Sequence, residues 1–305
     1  MITWLLWGCS ASLPVVERPS SQYDQRIRSI VIHYTAEDFA ESSRLLRHDG
    51  RVSAHYLIPQ TGDPSHSGSE LSIYRLVPDS ERAWHAGQSH WRGRSNLNDT
   101  SIGIELVYRP QCPVHGLSQQ SEGGVSRWHC DDPPFDPAQI QLLIRLLQQL
   151  LAAHPQITST DIVAHADIAP LRKRDPGSAF PWALLHQHGI GAWYDAETLA
   201  HYQQVFAVVP VPLTLLQQGL AAYGYQLESS GQLDHQTRAV LAAFQLHFLP
   251  WGRSSEADRN SAAVLFSLLK RYRPTQHERL WRAYLNQACR APEPALDWAC
   301  QHGPL

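Results

Sequence analysis

At 305 residues, with 17% charged and 43% hydrophobic residues, the chain has a soluble globular composition and can build one large core or two smaller ones. Its formal net charge is -3 and no basic cluster is interleaved with aromatics, which excludes nucleic acid as the main partner. Its 17 histidines are mostly scattered, as surface histidines are, so only those at defined positions bear on chemistry.

The chain opens Met1-Ile-Thr-Trp-Leu-Leu-Trp-Gly-Cys9. Eight residues before a cysteine are far short of the roughly 20 that cross a bilayer. Leu6-Trp7-Gly8-Cys9 instead has the pattern of a bacterial lipobox, whose cysteine carries the lipid. The basic start of a signal peptide is missing, so residues 1–24 read as a truncated signal and lipobox followed by a tether rich in Ser, Pro and Gln. The competing reading is a frayed apolar N-terminus of a cytosolic protein.

Ile27–His33 is the first strand, followed by a helix over Ala40–Arg47 and strands over Ala54–Ile58 and Ser72–Val77. Ala83-Trp-His-Ala-Gly87 is a polar and aromatic segment. Thr100–Tyr108 is another strand and carries Glu105. Residues 109–133 hold Pro, Gly, Ser and Gln without periodicity and read as a surface loop. In Pro137–Ala153, Ile140, Leu143, Ile144 and Leu147 recur at helical spacing. Ile162–His165 is the last strand and Trp182–His188 a closing helix. Strands interleaved with helices define an α/β domain with a mixed central sheet flanked by helices, placed at residues 25–205. Pro210-Val-Pro212 is a linker. Beyond it, Leu213–Tyr223, Thr237–Leu246 and Ala262–Arg271 form a second, small, all-helical domain at residues 206–273. Residues 274–305 are left unassigned except for a helix near Glu278–Cys289.

Two apolar strands end in histidine, at His33 and His165, and Asp175 follows ten residues after the second. Two imidazoles and one carboxylate suit zinc, with a fourth position left open if the metal is catalytic. His55, His66, His85, His90 and His154 compete as ligands, but a lone histidine is more often a packed or surface residue. Besides Cys9 there are four cysteines, in two local pairs, Cys112 with Cys130 and Cys289 with Cys300. An even number fits disulfides in an oxidising compartment. For the first pair a structural zinc site with His115 and His129 stays open as the alternative.

Ile32-His-Tyr-Thr35, Ser101-Ile-Gly-Ile-Glu105, His165-Ala-Asp-Ile-Ala-Pro170 and Lys173-Arg-Asp-Pro-Gly177, in this order, resemble the zinc-dependent N-acetylmuramoyl-L-alanine amidases of type 2, relatives of the peptidoglycan recognition proteins. The run from Gly224-Tyr to Phe244-Gln, through Gly231-x-Leu-Asp-x-x-Thr237, resembles the three-helix peptidoglycan-binding repeat, as in the outer-membrane lipoprotein branch of the family. The resemblance implies a hydrolase that cleaves the amide between N-acetylmuramic acid and L-alanine of peptidoglycan and muropeptides. It implies one Zn²⁺ per chain on His33, His165 and Asp175. Glu105 would be the general base, taking a proton from the attacking water and delivering it to the leaving amine, where otherwise it reads as the solvated face of a strand. Lys173 would steady the developing oxyanion, where otherwise it is one of three basic residues on a loop. Trp84, His85 and Asn98 are expected to contact substrate. A monomer facing the periplasm, held at the outer membrane by lipid on Cys9, is the expected setting. The rival reading on the same fold is a non-catalytic peptidoglycan-recognition protein, which the complete ligand set argues against. A cytosolic recycling amidase is a third, against which the wall-binding repeat and the cysteine pairs argue.

Overall fold

In the computed structural model of the protein, residues 16–111 and 132–289 are described, apart from residues 19, 23, 49, 69, 252 and 253. Cys9, Cys112, Cys130 and Cys300 lie outside them, as do most of the loop expected at 109–133 and the end of the tail. Cys289 is disulfide-bonded.

The first strand, β1 (Ser29–Tyr34), is buried at every residue, as an Ile-Val-Ile run between two parallel neighbours must be. It sits in a sheet with β2 (Tyr56–Ile58), β3 (Tyr74–Arg75), β6 (Ser101–Leu106) and β7 (Ile162–Ala164), in the order β3-β2-β6-β1-β7. Only the edge pair β2–β3 is antiparallel; β2–β6, β6–β1 and β1–β7 run parallel. The sheet is therefore mixed, as expected. The strand expected over Ser72–Val77 shrinks to two residues. A separate hairpin of β4 (His90–Trp91) and β5 (Arg94–Ser95), too short to leave a periodic signal, precedes β6.

Helices cover the sheet. The longer, α2 (Pro137–Ala153), has Pro137 in its first turn and Asp136 as N-cap, its carboxylate accepting from Ala138 N at 3.0 Å. Its buried face is Ile140, Leu143, Ile144, Leu147 and Leu150, the spacing that the sequence displays. Gln139 anchors it by donating to the carbonyls of Ile58 and Val107, both at 2.9 Å. On the other side of the chain order stand α1 (Phe39–His48), the short α3 (His165–Ile168) and α4 (Trp182–Gln187).

The C-terminal half is helical: α5 (Ala196–Val208), α6 (Leu213–Tyr223), α7 (His235–Phe248), α8 (Arg259–Tyr272) and α9 (Pro274–Ala288). Three of the five start on the same device, an aspartate accepting from the backbone N–H three residues on: Asp195 to Thr198, Asp234 to Thr237 and Asp258 to Ser261, each at 2.7 Å. Two buried glutamines hold the connecting loops. Gln217 donates to Gln232 O and Thr237 Oγ1, and Gln245 donates to Glu256 O and Ser261 Oγ. The boundary read at 205/206 falls inside α5. The tail read as unassigned begins with α9, whose Trp281 and Tyr284 are buried against Tyr202, Phe206 and Phe266. One hydrophobic core runs from the sheet through Trp182 and Tyr223 into these helices. Among the described residues no helix is long and apolar enough to cross a membrane.

Candidate active site

Side chains at the carboxyl ends of three adjacent parallel strands, β6, β1 and β7, face one another, which is where open α/β sheets place their sites. His33 is the fifth residue of β1 and 1% exposed. His165 follows β7 directly, though as the first residue of α3 and not as the strand end that its apolar run suggested. Asp175 returns from the loop and ties itself back to α3, its carbonyl accepting from Ala166 N at 3.0 Å.

Three ligand atoms form a nearly equilateral triangle. His33 Nδ1 lies 2.9 Å from His165 Nδ1, and both lie 3.0 Å from Asp175 Oδ2. The protonation of each ring follows from its far nitrogen. His165 Nε2 faces the Ala86 carbonyl at 3.2 Å and must donate to it, which in the neutral ring leaves Nδ1 bare. Ser101 Oγ donates to Leu97 O at 2.6 Å, so it accepts from His85 Nε2 at 3.1 Å. His85 Nδ1 therefore accepts from His33 Nε2 at 3.0 Å, and His33 Nδ1 is bare as well. Burial first, and then His165, hold the His33 imidazole down at about 4, so the ring is neutral. Burial alone would raise the Asp175 carboxyl, and only positive charge or a donor at the facing Nδ1 atoms holds it well below the carboxylate range. Two lone pairs and an anionic oxygen so close together call for a cation between them. The residues thus fit a tetrahedral metal, whose ligand atoms would stand about 3.3 Å apart at zinc-like bond lengths, with both rings oriented from behind.

Glu105 is the Cα partner of His33 across β1–β6. Its Oε2 is buried without a hydrogen-bond partner, and burial, aided by the charge of Asp175 and opposed by Lys173, pushes its carboxyl up to about 8. An unpaired carboxyl buried beside this cluster, protonated until a positive charge is bound there, is poised to exchange a proton and is not a solvated strand face. It opens, with Lys173, onto a cleft of about 390 Å³ lined by the triad and by Thr35, Leu45, Val52 and Ser53.

The three residues expected to contact substrate occupy different settings. His85 is buried with both ring nitrogens engaged, and lies over Gly103, where any Cβ would overlap its ring. Asn98 is buried too; its Oδ1 accepts from His85 N and Ala86 N at 3.1 and 2.7 Å and so fixes the segment on which both rings lean. Trp84 is 52% exposed, with Arg82 4.1 Å above its ring, and its backbone pairs with Ser53 on the cleft wall. His55 accepts from Gly103 N at Nδ1 and faces the Glu81 carbonyl at Nε2, so it holds β2 against β6. Sequence reasoning assigned nothing to Ser101, Gly103 or Arg172. The last donates to Ala86 O and Gln88 O at 3.1 and 2.5 Å. Ser101 and Gly103 alternate with Glu105 along β6, which was the available signal.

A buried His–His–Asp cluster that could hold a metal ion, beside an unpaired carboxyl at the carboxyl ends of a mixed sheet, is the class of site that this fold and geometry define. The chain belongs to the N-acetylmuramoyl-L-alanine amidase family, whose model matches residues 23–178. It is 43% identical over 278 residues to N-acetylmuramoyl-L-alanine amidase AmiD of Escherichia coli K12, covering 88% of this chain and 95% of that protein. The structure of that AmiD in complex with the substrate anhydro-N-acetylmuramic acid-L-Ala-D-gamma-Glu-L-Lys superposes with a TM-score of 0.71, covering 84% of this chain and 93% of the other. AmpDH3 from Pseudomonas aeruginosa, in complex with anhydromuramic pentapeptide, superposes at 0.75 with 38% identity, covering 86% and 99%. This chain is accordingly an amidase of the peptidoglycan-cleaving kind, with the mixed α/β fold and helical C-terminal region of those relatives.

Proposed function

We propose that the amidase is a zinc enzyme acting on muropeptides, anhydro-muramyl ones included, at the muramoyl–L-alanine amide. The observation that carries this is the His33–His165–Asp175 triangle with bare Nδ1 atoms, set beside the unpaired Glu105 carboxyl. That two relatives were solved with anhydro-muramyl peptides supports the substrate class. His33, His165 and Asp175 would hold the ion, which supplies Lewis acidity toward the amide carbonyl and makes a neutral water acidic enough to attack.

The chain's own residues do the rest. Glu105 Oε2 takes the proton of the attacking water as the O–C bond forms. Lys173 lies on the cleft wall, where its ammonium meets the oxyanion of the tetrahedral intermediate. Glu105 then returns that proton to the alanine nitrogen as the C–N bond breaks, leaving a muramyl carboxylate and a free peptide amine. All five groups come from one chain, which supports a monomer as the working unit.

The helical region is proposed to hold peptidoglycan, and the protein to work in the periplasm, anchored through lipid on Cys9. The repeat-like run around Gly231–Thr237, the lipobox pattern and the disulfide at Cys289 support this setting. Zinc content by elemental analysis and L-alanyl-peptide release from a defined anhydro-muropeptide test the central reading. Loss of release on chelation and its return with zinc are expected; full activity in metal-free protein would overturn it. Lipid labelling of wild type against Cys9→Ser, and co-sedimentation with sacculi, test the setting.

A further inference from the structure

Asp167 lies in α3, two residues beyond the ligand His165, and is 1% exposed. Its Oδ2 accepts from Ala164 N at 2.8 Å, closing the turn on which His165 starts. The other partners of this carboxylate come from the helical half. Tyr225 Oη donates to Oδ1 at 2.6 Å, and His247 Nδ1 lies 2.7 Å from Oδ2. The His247 ring is held flat between Trp182, at 3.8 Å and 20°, and Phe248, at 3.9 Å and 6°. Close by, Arg92 N donates to Gly224 O at 2.9 Å, and a Cβ on Gly224 would come within 2.9 Å of the Trp91 ring that packs on Tyr225.

From this we infer that Asp167 is a positioning residue for the metal ligand His165, and that Tyr225, in the loop just beyond α6, and His247 of α7 hold it in place. A four-residue helix has almost no stability of its own, so α3 sits where its bonds put it. Ala86 fixes the His165 ring from the side and Asp175 bonds the Ala166 N–H from the front. Asp167 is the hold from behind, and both its partners outside α3's own turn are supplied by the helical half. The helical half is therefore part of the catalytic apparatus, whatever else it binds. Groups that orient a ligand from outside typically change metal affinity by about 10–100-fold when lost.

The inference rests on the zinc reading, and one experiment separates the two. Zinc dissociation constants are measured by chelator competition, alongside Tm and the kcat and KM for a small muropeptide, in four full-length proteins. They are wild type, Tyr225→Phe, Tyr225→Phe/His247→Phe, and Tyr202→Phe. The double variant keeps the stacked ring and removes both donors. Tyr202→Phe loses another buried bond, between α5 and α9, to His277 Nε2 at 2.5 Å, in which α3 has no part. Expected are zinc affinity about 10-fold weaker or more in the double variant, a smaller loss in Tyr225→Phe, lower kcat at unchanged KM, and wild-type zinc affinity in Tyr202→Phe. Wild-type zinc affinity in both latch variants, with Tm lowered as in Tyr202→Phe, would overturn the positioning role. If the double variant does not fold, unchanged affinity in Tyr225→Phe alone overturns it. Wild type that takes up no zinc would overturn the zinc reading itself and the inference with it.

Discussion

Glu105 and His33 are register partners in two parallel strands, so their side chains leave the same face of the sheet at the same level. One ends in a bare nitrogen of the metal triad, the other in a buried carboxyl oxygen without a partner. The register alone thus places the proposed ligand and the proposed base side by side, and no loop has to move to bring them together.

Replacing Glu105 by Gln keeps the shape and removes the base. Zinc should stay at one per chain, because Glu105 is not in the triangle, while kcat on a muropeptide falls by roughly 10²–10⁴-fold. Metal analysis and turnover on the same sample decide it: loss of zinc would make Glu105 a ligand, and unchanged kcat would return it to the strand face.

Lys173→Met keeps the side-chain length and removes the ammonium from the cleft wall. A donor to the oxyanion contributes about 10²–10³-fold to kcat, so the loss should appear in kcat with zinc content unchanged. A change confined to KM would instead make Lys173 a ground-state contact.

Much of this was legible in the sequence, for definite reasons. The His33 strand is apolar and continuous because it is buried on both faces, and the α2 stripe is regular because one face meets the sheet. The His33–His165–Asp175 cluster needed only one histidine within a strand, one just past a strand and one carboxylate. What could not be read depends on partners remote in the chain. Tyr225 and His247 meet Asp167 across 58 and 80 residues, so a motif aspartate next to a ligand carried no visible role. α5 buries only Tyr202 and Phe206, too few apolar positions to display a period, although Asp195 and Thr198 have the spacing of a cap. His85 reads as a cleft residue from its neighbours Trp84 and Gly87, and it does line the cleft beside the triad. Its place behind His33 is set by Gly103 and Ser101, which lie on another strand.

Gly103 gives a test of that arrangement. A methyl group there overlaps the His85 ring, which is pinned at both nitrogens. Gly103→Ala should displace the ring, cost about 1–3 kcal/mol by overpacking, and weaken zinc binding by about 10–100-fold through the lost bond to His33. His85→Ala should weaken zinc binding similarly without the clash. In the double variant the methyl meets no ring, so zinc affinity should equal that of His85→Ala alone. Additive losses, read by chelator competition, would show that Gly103 acts by another route.

The last expectation concerns pH in the chelator-stripped protein. Burial lowers His33 to about 4 and takes His85 well below its ordinary value, so over the window up to about 6.5 the unfolded chain binds more protons there. Stability from these rings is lost as pH falls through that window. Glu105 has the opposite sign. Its carboxyl is raised to about 8, so the folded protein holds a proton that the unfolded chain has already released. Its contribution is complete below the usual carboxylate range and is lost as pH rises toward 8. Between about 4.5 and 6.5 the two effects oppose; above 6.5 only Glu105 remains among these three. Tm of the stripped wild type should therefore decline from pH 6.5 to 8, with a free-energy slope no steeper than about 1.4 kcal/mol per pH unit. Glu105→Gln has no proton to lose and should stay flat over that range, overtaking wild type at its alkaline end. Thermal melts of both proteins from pH 4 to 9 in excess chelator read this directly. A flat wild-type curve between 6.5 and 8 would mean that the Glu105 carboxyl is already ionised there, and the reading of it as a carboxyl that stays protonated until a cation is bound beside it would fall.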